Sequence, residues 1–154
     1  MLIEENKQLK LKNVLSIRRN MIFEHIEKEV YLMGIYIQSK ESAKNGPLVT
    51  CIHKFLNKKK LQLLDTEILI PINKAINVTN STYVFYEIFT LDHCIYTRVI
   101  GDASKMQHIV SGMEDYLRKN RLKQLTSAYI VQIKDLSQVI KATDMIFDFY
   151  IGYA

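Results

Sequence analysis

The sequence predicts an α+β fold in which two sequential β-α-β-β repeats, Asn13 to Ile72 and Cys94 to Tyr153, form an antiparallel sheet with two long helices on one face. Three observations carry this. An offset of 81 residues lays one half of the chain on the other without a gap. Each half holds one run with helical periodicity, and each run is followed by two short β-branched or aromatic segments bounded by turn residues.

Met1 to Lys12 is a polar N-terminal segment, and residues 13–154 read as a single domain: repeat one over 13–76, a linker over 77–82 and repeat two over 83–154. The first strand contains Val14, Leu15 and Ser16, which the offset lays on Ile95, Tyr96 and Thr97. Ile22, Ile26, Val30, Met33 and Ile37 then recur at helical spacing. They predict a helix from Phe23 to Glu41 with Gly34 as its one weak interior residue and Asn45-Gly46-Pro47 as its stop. Leu48 to Phe55 and Thr66 to Ile72 are the two following strands, and Pro71 ends the second or places it at an edge. Asn77 to Thr82 is an Asn/Ser/Thr-rich linker.

Tyr83 to Ile100 is a long β-rich stretch with an expected break at Asp92-His93. Asp102 is positioned to cap the second helix, whose buried face is Met106, Ile109, Val110, Met113, Tyr116 and Leu117. The same offset lays Leu32, Ile35 and Tyr36 on Met113, Tyr116 and Leu117, and Asn45-Gly46 on Thr126-Ser127. Tyr129 to Lys134 and Met145 to Tyr153 complete the second copy as strands. Glu67 to Ile72 then lies over Asp148 to Tyr153, acid over acid.

A sheet covered by helices on one face needs one apolar side per strand. Ile68, Ile70 and Ile72 supply it in one copy, and Phe149, Ile151 and Tyr153 in the other. The opposite parity projects Glu67, Leu69, Asp148 and Tyr150 onto the far face, where a site could form.

Composition excludes several classes. The 154 residues are 48% hydrophobic and 24% charged, ordinary globular usage. The net charge of +5 is modest, and its one dense run, Lys58-Lys59-Lys60, reads as a solvated loop with no recognition helix beside it, so no nucleic-acid partner is expected. Two cysteines without a secretory leader point to the cytoplasm and reduced thiols. No apolar run approaches the roughly 18 residues of a membrane span, so no membrane insertion is expected.

The duplicated pattern, the Gly46-Pro47 lead into a strand, the strand from Glu67 to Ile72 and the closing strand from Asp148 to Tyr153 together resemble the GyrI-like effector-binding superfamily over nearly the whole chain. Within it, the chain is similar to an uncharacterised group of small Firmicute proteins encoded beside LXG-type toxins of type VII secretion. The resemblance implies a cleft between the repeats that binds a small molecule, often an amphipathic cation, with aromatic walls and a buried acid. That acid is expected in the first strand after the second helix. There the outward positions read as Ile130, Gln132 and Lys134, none a carboxylate, which weakens both the cationic ligand and the hydrolase activity of some relatives. The absence of a fused helix-turn-helix segment weighs against a stand-alone transcription regulator.

Other clusters carry less. Cys51 and His53 share a strand face, and Asp92-His93-Cys94 is expected across a turn, but their spacing matches neither a zinc motif nor a nucleophile elbow. No metal or cofactor is expected. His25 and His108 read as surface residues, and Gly101 to Lys105 as a helix cap rather than an anion site. Tyr83, Phe85, Tyr86, Phe89 and Tyr96 crowd the strands opening the second copy, and those facing outward would suit a protein interface or an oligomer.

The sequence therefore points first to a non-enzymatic binding protein, an accessory, adaptor or immunity factor linked to type VII secretion toxins, with a toxin or a small helical secretion companion as partner. The alternative is a sensor or sequestering protein for a small hydrophobic ligand, its site lined by Glu67, Leu69, Asp148, Tyr150, Ile130 and Gln132.

Overall fold

The structure, a computed structural model, describes all residues except 59, 60 and 136, and the side chains of Asn57 and Lys58 are also left aside. The elements are β1 (Glu4–Met21), α1 (Ile26–Ser39), β2 (Val49–Lys58), β3 (Leu61–Pro71), β4 (Val84–Ile100), α2 (Met106–Lys119), β5 (Tyr129–Lys134) and β6 (Ile146–Gly152). One turn of 3-10 helix leads into each α-helix, at Phe23–His25 and Ala103–Lys105. The chain divides into two compact units, Lys10–Phe89 and Met1–Leu9 with Thr90–Ala154. The polar N-terminal segment is thus largely strand.

In the Lys10–Phe89 unit, β3 pairs antiparallel with both β1 and β2. Ile68, Ile70 and Ile72 join Leu15, Ile17 and the α1 residues Met33 and Ile37 in one buried core. In the other unit β6 pairs antiparallel with β4 and β5. Phe147, Phe149, Ile151 and Tyr153 meet Ile95 and the α2 residues Met113 and Leu117 there. Each unit is therefore a β-α-β-β copy with its helix on the apolar strand parity, as the sequence predicts.

The register corrects the offset. Glu67 stands opposite Arg18 and Cys51, and Asp148 opposite Arg98 and Val131. The last strands match as the offset of 81 places them. However, β1, α1 and β2 match β4, α2 and β5 at an offset one residue smaller, so Met33, not Leu32, is the counterpart of Met113. Tyr36, not Ile35, answers Tyr116. The additional residue of the second copy lies in the connection between β5 and β6. A one-residue slip turns every strand side chain to the other face, so the ladder pairs Val14/Pro71 and Cys94/Gly152 fix the strand correspondence, and the buried pairs Met33/Ile37 and Met113/Leu117 fix that of the helices.

Two further expectations change. α1 stops at Ser39, ahead of Asn45-Gly46-Pro47, and α2 stops at Lys119: Glu41 (φ 59) and Arg121 (φ 56) turn left-handed just after them. Ser42 N–H then donates to Ile37 O at 3.2 Å, and Leu122 N–H to Leu117 O at 2.9 Å. Gly46 serves instead in a close approach, since a Cβ there would lie 3.1 Å from Pro71 Cβ. The expected break at Asp92-His93 is also absent, and β4 runs through it. Gln8 Nε2 and Thr90 Oγ1 donate to Asp92, while the His93 ring stacks on Tyr153 at 4.2 Å. These partners satisfy polar side chains that otherwise favour turns. Asp102 does cap, accepting from Ser104 N–H at 2.9 Å. The Lys58-Lys59-Lys60 run falls on Lys59 and Lys60, outside the described residues.

Candidate functional site

Asp148 sits in the middle of β6 and is only 5% exposed, so its carboxylate must be paired. Arg98, directly opposite on β4, closes a two-pronged contact: Nε donates to Oδ1 at 2.7 Å and Nη2 to Oδ2 at 2.9 Å. Tyr96, two residues earlier and so on the same face, donates its hydroxyl to Oδ1 at 2.9 Å. Its ring lies 5.1 Å from that of Tyr150 at 45°. The hydrogen bonds it donates to Asp148 hold the Arg98 guanidinium above its ordinary range. Burial, reinforced by the Asp148 charge, pushes the Tyr150 phenol up to about 12. The result is a half-buried patch of two phenols beside an internally neutralised acid.

Glu67 occupies the equivalent place in the other unit and is 6% exposed. Its chemistry differs. His53 Nε2 lies 2.7 Å from Glu67 Oε1, and His53 Nδ1 lies 3.9 Å from Cys51 Sγ. Arg18 stands opposite Glu67 in register, and its guanidinium bonds Asp65 at 3.1 and 3.0 Å. Those bonds hold the Asp65 carboxyl below its ordinary value. Leu69 is fully buried beside this group on the same strand parity. Neither Glu67 nor Asp148 is a solvated residue of an open sheet face, because each has a partner that makes burial tolerable.

Ile130 and Gln132 are placed otherwise than expected. Tyr129 and Val131 stand opposite Tyr150 and Asp148, so they share the acid face. Ile130 stands opposite Phe149 and packs against the helix-side core, and Gln132 stands opposite Phe147. The parity of β5 is one residue off the sequence reading, because that reading fixed no register for the strand. The corrected outward positions also carry no carboxylate.

The groups missed from sequence are Arg98 and Tyr96. Their alternation on one strand opposite Asp148 and Tyr150 was available as a signal, but only the β4–β6 register joins them. Cys51 and Cys94 are free and fully buried. Burial, then the nearby Glu67 charge, raises the Cys51 thiol far above its usual range, and burial pushes Cys94 up to about 11. Both stay protonated. Among the described residues no cluster of His, Cys, Asp or Glu could hold a metal, and no helix is long and apolar enough to cross a membrane.

No protein-family model and no curated protein matches the sequence. Solved structures do match its fold. The C-terminal domain of EcmrR superposes with a TM-score of 0.76 at 10% identity, covering 100% of this chain and 99% of that one. In the EcmrR–DNA complex the TM-score is 0.77 at 12% identity; 99% of this chain is covered, and it spans 58% of the EcmrR chain. A hydrolase from Listeria innocua gives 0.60 at 13% identity over 97% of this chain and 93% of that one. SAV2435 bound to tetraphenylphosphonium gives 0.52 at 13% identity over 99% and 93%. With repeat order, strand pairing and these superpositions in agreement, the chain has the fold of the GyrI-like effector-binding domains.

Proposed function

We propose that this chain is a non-catalytic binding protein for a small, uncharged aromatic molecule, held on the strand face of Tyr96, Asp148 and Tyr150. The tilted pair of half-buried phenols beside Asp148 carries the reading. Aromatic rings give a ligand apolar contact, and phenol and guanidinium groups orient its polar atoms. Charge selects the ligand class. A cation gains most from a bare buried carboxylate, but Arg98 already spends the Asp148 charge at 2.7 and 2.9 Å. A neutral ligand with a hydrogen-bond acceptor leaves that pair intact. The fold shared with the C-terminal domain of EcmrR and with ligand-bound SAV2435 supports small-molecule binding.

Binding without turnover is supported by the thiol–imidazole–carboxylate run of Cys51, His53 and Glu67. A nucleophilic cysteine must be an accessible thiolate, and Cys51 is fully buried with its thiol pushed up. The test is a pair of matched probes. Triphenylphosphine oxide should raise the melting temperature of the native protein, and tetraphenylphosphonium at equal concentration should raise it less. Tyr150→Ala should remove the effect. A larger shift with the cation, or none with either probe, would overturn the reading.

The solvent side of α1 favours a second reading, a protein-binding accessory. Tyr31, Leu32 and Ile35 are 69%, 40% and 49% exposed, whereas their counterparts in α2 are Ser111, Gly112 and Asp115. The secretion-linked partner itself comes from the resemblance of the strand motifs. It is tested by co-purification with an LXG-type toxin, and Ile35→Glu should abolish the association.

A further inference from the structure

We infer that the Lys10–Phe89 unit holds a second binding site, a hollow beside α1 that takes an aliphatic carboxylate. The hollow is half open to solvent, measures about 510 Å3 and is lined by Val30, Gly34, Ile37, Ser42, Lys44 and Ile70. That volume is on the scale of small-molecule sites, roughly 300–1,000 Å3. Val30, Ile37 and Ile70 make an apolar floor, and Lys44 is the one cation among the described residues of its wall.

The second repeat shows why this space is open and what fits it. At the corrected correspondence, Gly34, Ser42 and Lys44 answer to Glu114, Leu122 and Gln124. Leu122 packs against its unit's core. Glu114, at the position matching Gly34, accepts a hydrogen bond at its Oε2 from Gln124 Nε2 at 3.2 Å. The second copy therefore brings its own carboxylate to the residue matching Lys44. In the first copy Gly34 has no side chain, and a Cβ there would meet nothing within 4 Å. Ser42 is tied to Asn73 Oδ1 at 2.9 Å and the Lys74 carbonyl at 3.1 Å, which leaves Leu122's role unfilled. An external carboxylate would stand where Glu114 stands in the second copy, with an ammonium in place of an amide as its partner. Its alkyl chain would cover the apolar floor. A mid-helix glycine is less stable than an alanine in the same place, so the opening is kept at the expense of stability.

The probe is decanoate, with decyltrimethylammonium as its charge-reversed counterpart, each titrated into the full chain calorimetrically. Decanoate should bind, and the cation at least tenfold more weakly. Gly34→Glu copies the second repeat; it should abolish decanoate binding, leave the melting temperature unchanged or higher, and leave the response to triphenylphosphine oxide intact. Lys44→Gln should weaken decanoate at least tenfold, and the Gly34 amide resonance should move on titration. No decanoate binding to the unmodified chain, binding that survives Gly34→Glu, or equal affinity for the cation would each overturn the inference. Because the two sites lie in different units, loss of the triphenylphosphine oxide response alone would count only against the strand-face site.

Discussion

Arg18 and Arg98 occupy the same place in the two copies, and the structure predicts very different costs for losing them. Arg98→Ala strips two charge-assisted hydrogen bonds from a carboxylate whose side chain is 7% exposed. Removing one partner of a fully buried pair costs roughly 3–5 kcal/mol. Here the Arg98 side chain is 49% exposed and the Tyr96 hydroxyl remains on Asp148, so water and that bond recover part of the loss. The expected cost is about 2 kcal/mol. Arg18→Ala removes an ion pair with Asp65 whose members are 55% and 23% exposed, and loss of that pair costs about 0.5 kcal/mol. The difference, about 1.5 kcal/mol, is roughly tenfold in the unfolding constant. Urea denaturation at neutral pH followed by circular dichroism measures both. In the Arg98→Ala background, Asp148→Asn should recover most of the lost stability, because the uncompensated charge is gone. An Arg18 variant as unstable as the Arg98 variant, or a double variant no better than Arg98→Ala, would refute the reasoning.

Further outcomes follow from the same chemistry. Arg18 lowers the Asp65 pKa in the folded state, so the pair adds stability above the ordinary carboxylate value near ~3.9 and loses it as pH falls through the lower folded value. The stability gap between the parent and Arg18→Ala should therefore shrink as pH is lowered through that window; a gap constant with pH would contradict it. Cys51 and Cys94, fully buried with raised thiols, should resist a thiol reagent at pH 8 in the native protein and react fully in denaturant. Stoichiometric labelling of the native state would show the burial to be wrong. Glu41→Gly relieves a left-handed backbone at φ 59 and should raise the urea midpoint by the equivalent of about 0.5–1 kcal/mol. Met33→Ala empties a fully buried core position and should cost about 2–5 kcal/mol, read from the same denaturation curves.

The sequence by itself determined the β-α-β-β order, its duplication, the buried helix faces and the strand parity that groups Ile68, Ile70 and Ile72 apart from Glu67. These follow from local periodicity, because side-chain direction repeats every two residues in a strand and about every 3.6 in a helix. Only the tertiary structure decided register. Periodicity is blind to which residue faces which across a ladder, and a slip of one is invisible in an offset that still lays apolar on apolar. For this reason the sequence paired Leu32 with Met113, turned Ile130 and Gln132 outward, and left Arg98 and Tyr96 out of the site. It likewise read Asp92-His93 as a break, because the groups that satisfy them, Gln8 and Tyr153, are distant in the chain. The hollow beside α1 was foreshadowed only by Gly34, a weak helix residue in the sequence. The packed chain turned that weakness into space, because Gly34 puts no side chain at the position that Glu114 holds in the second copy.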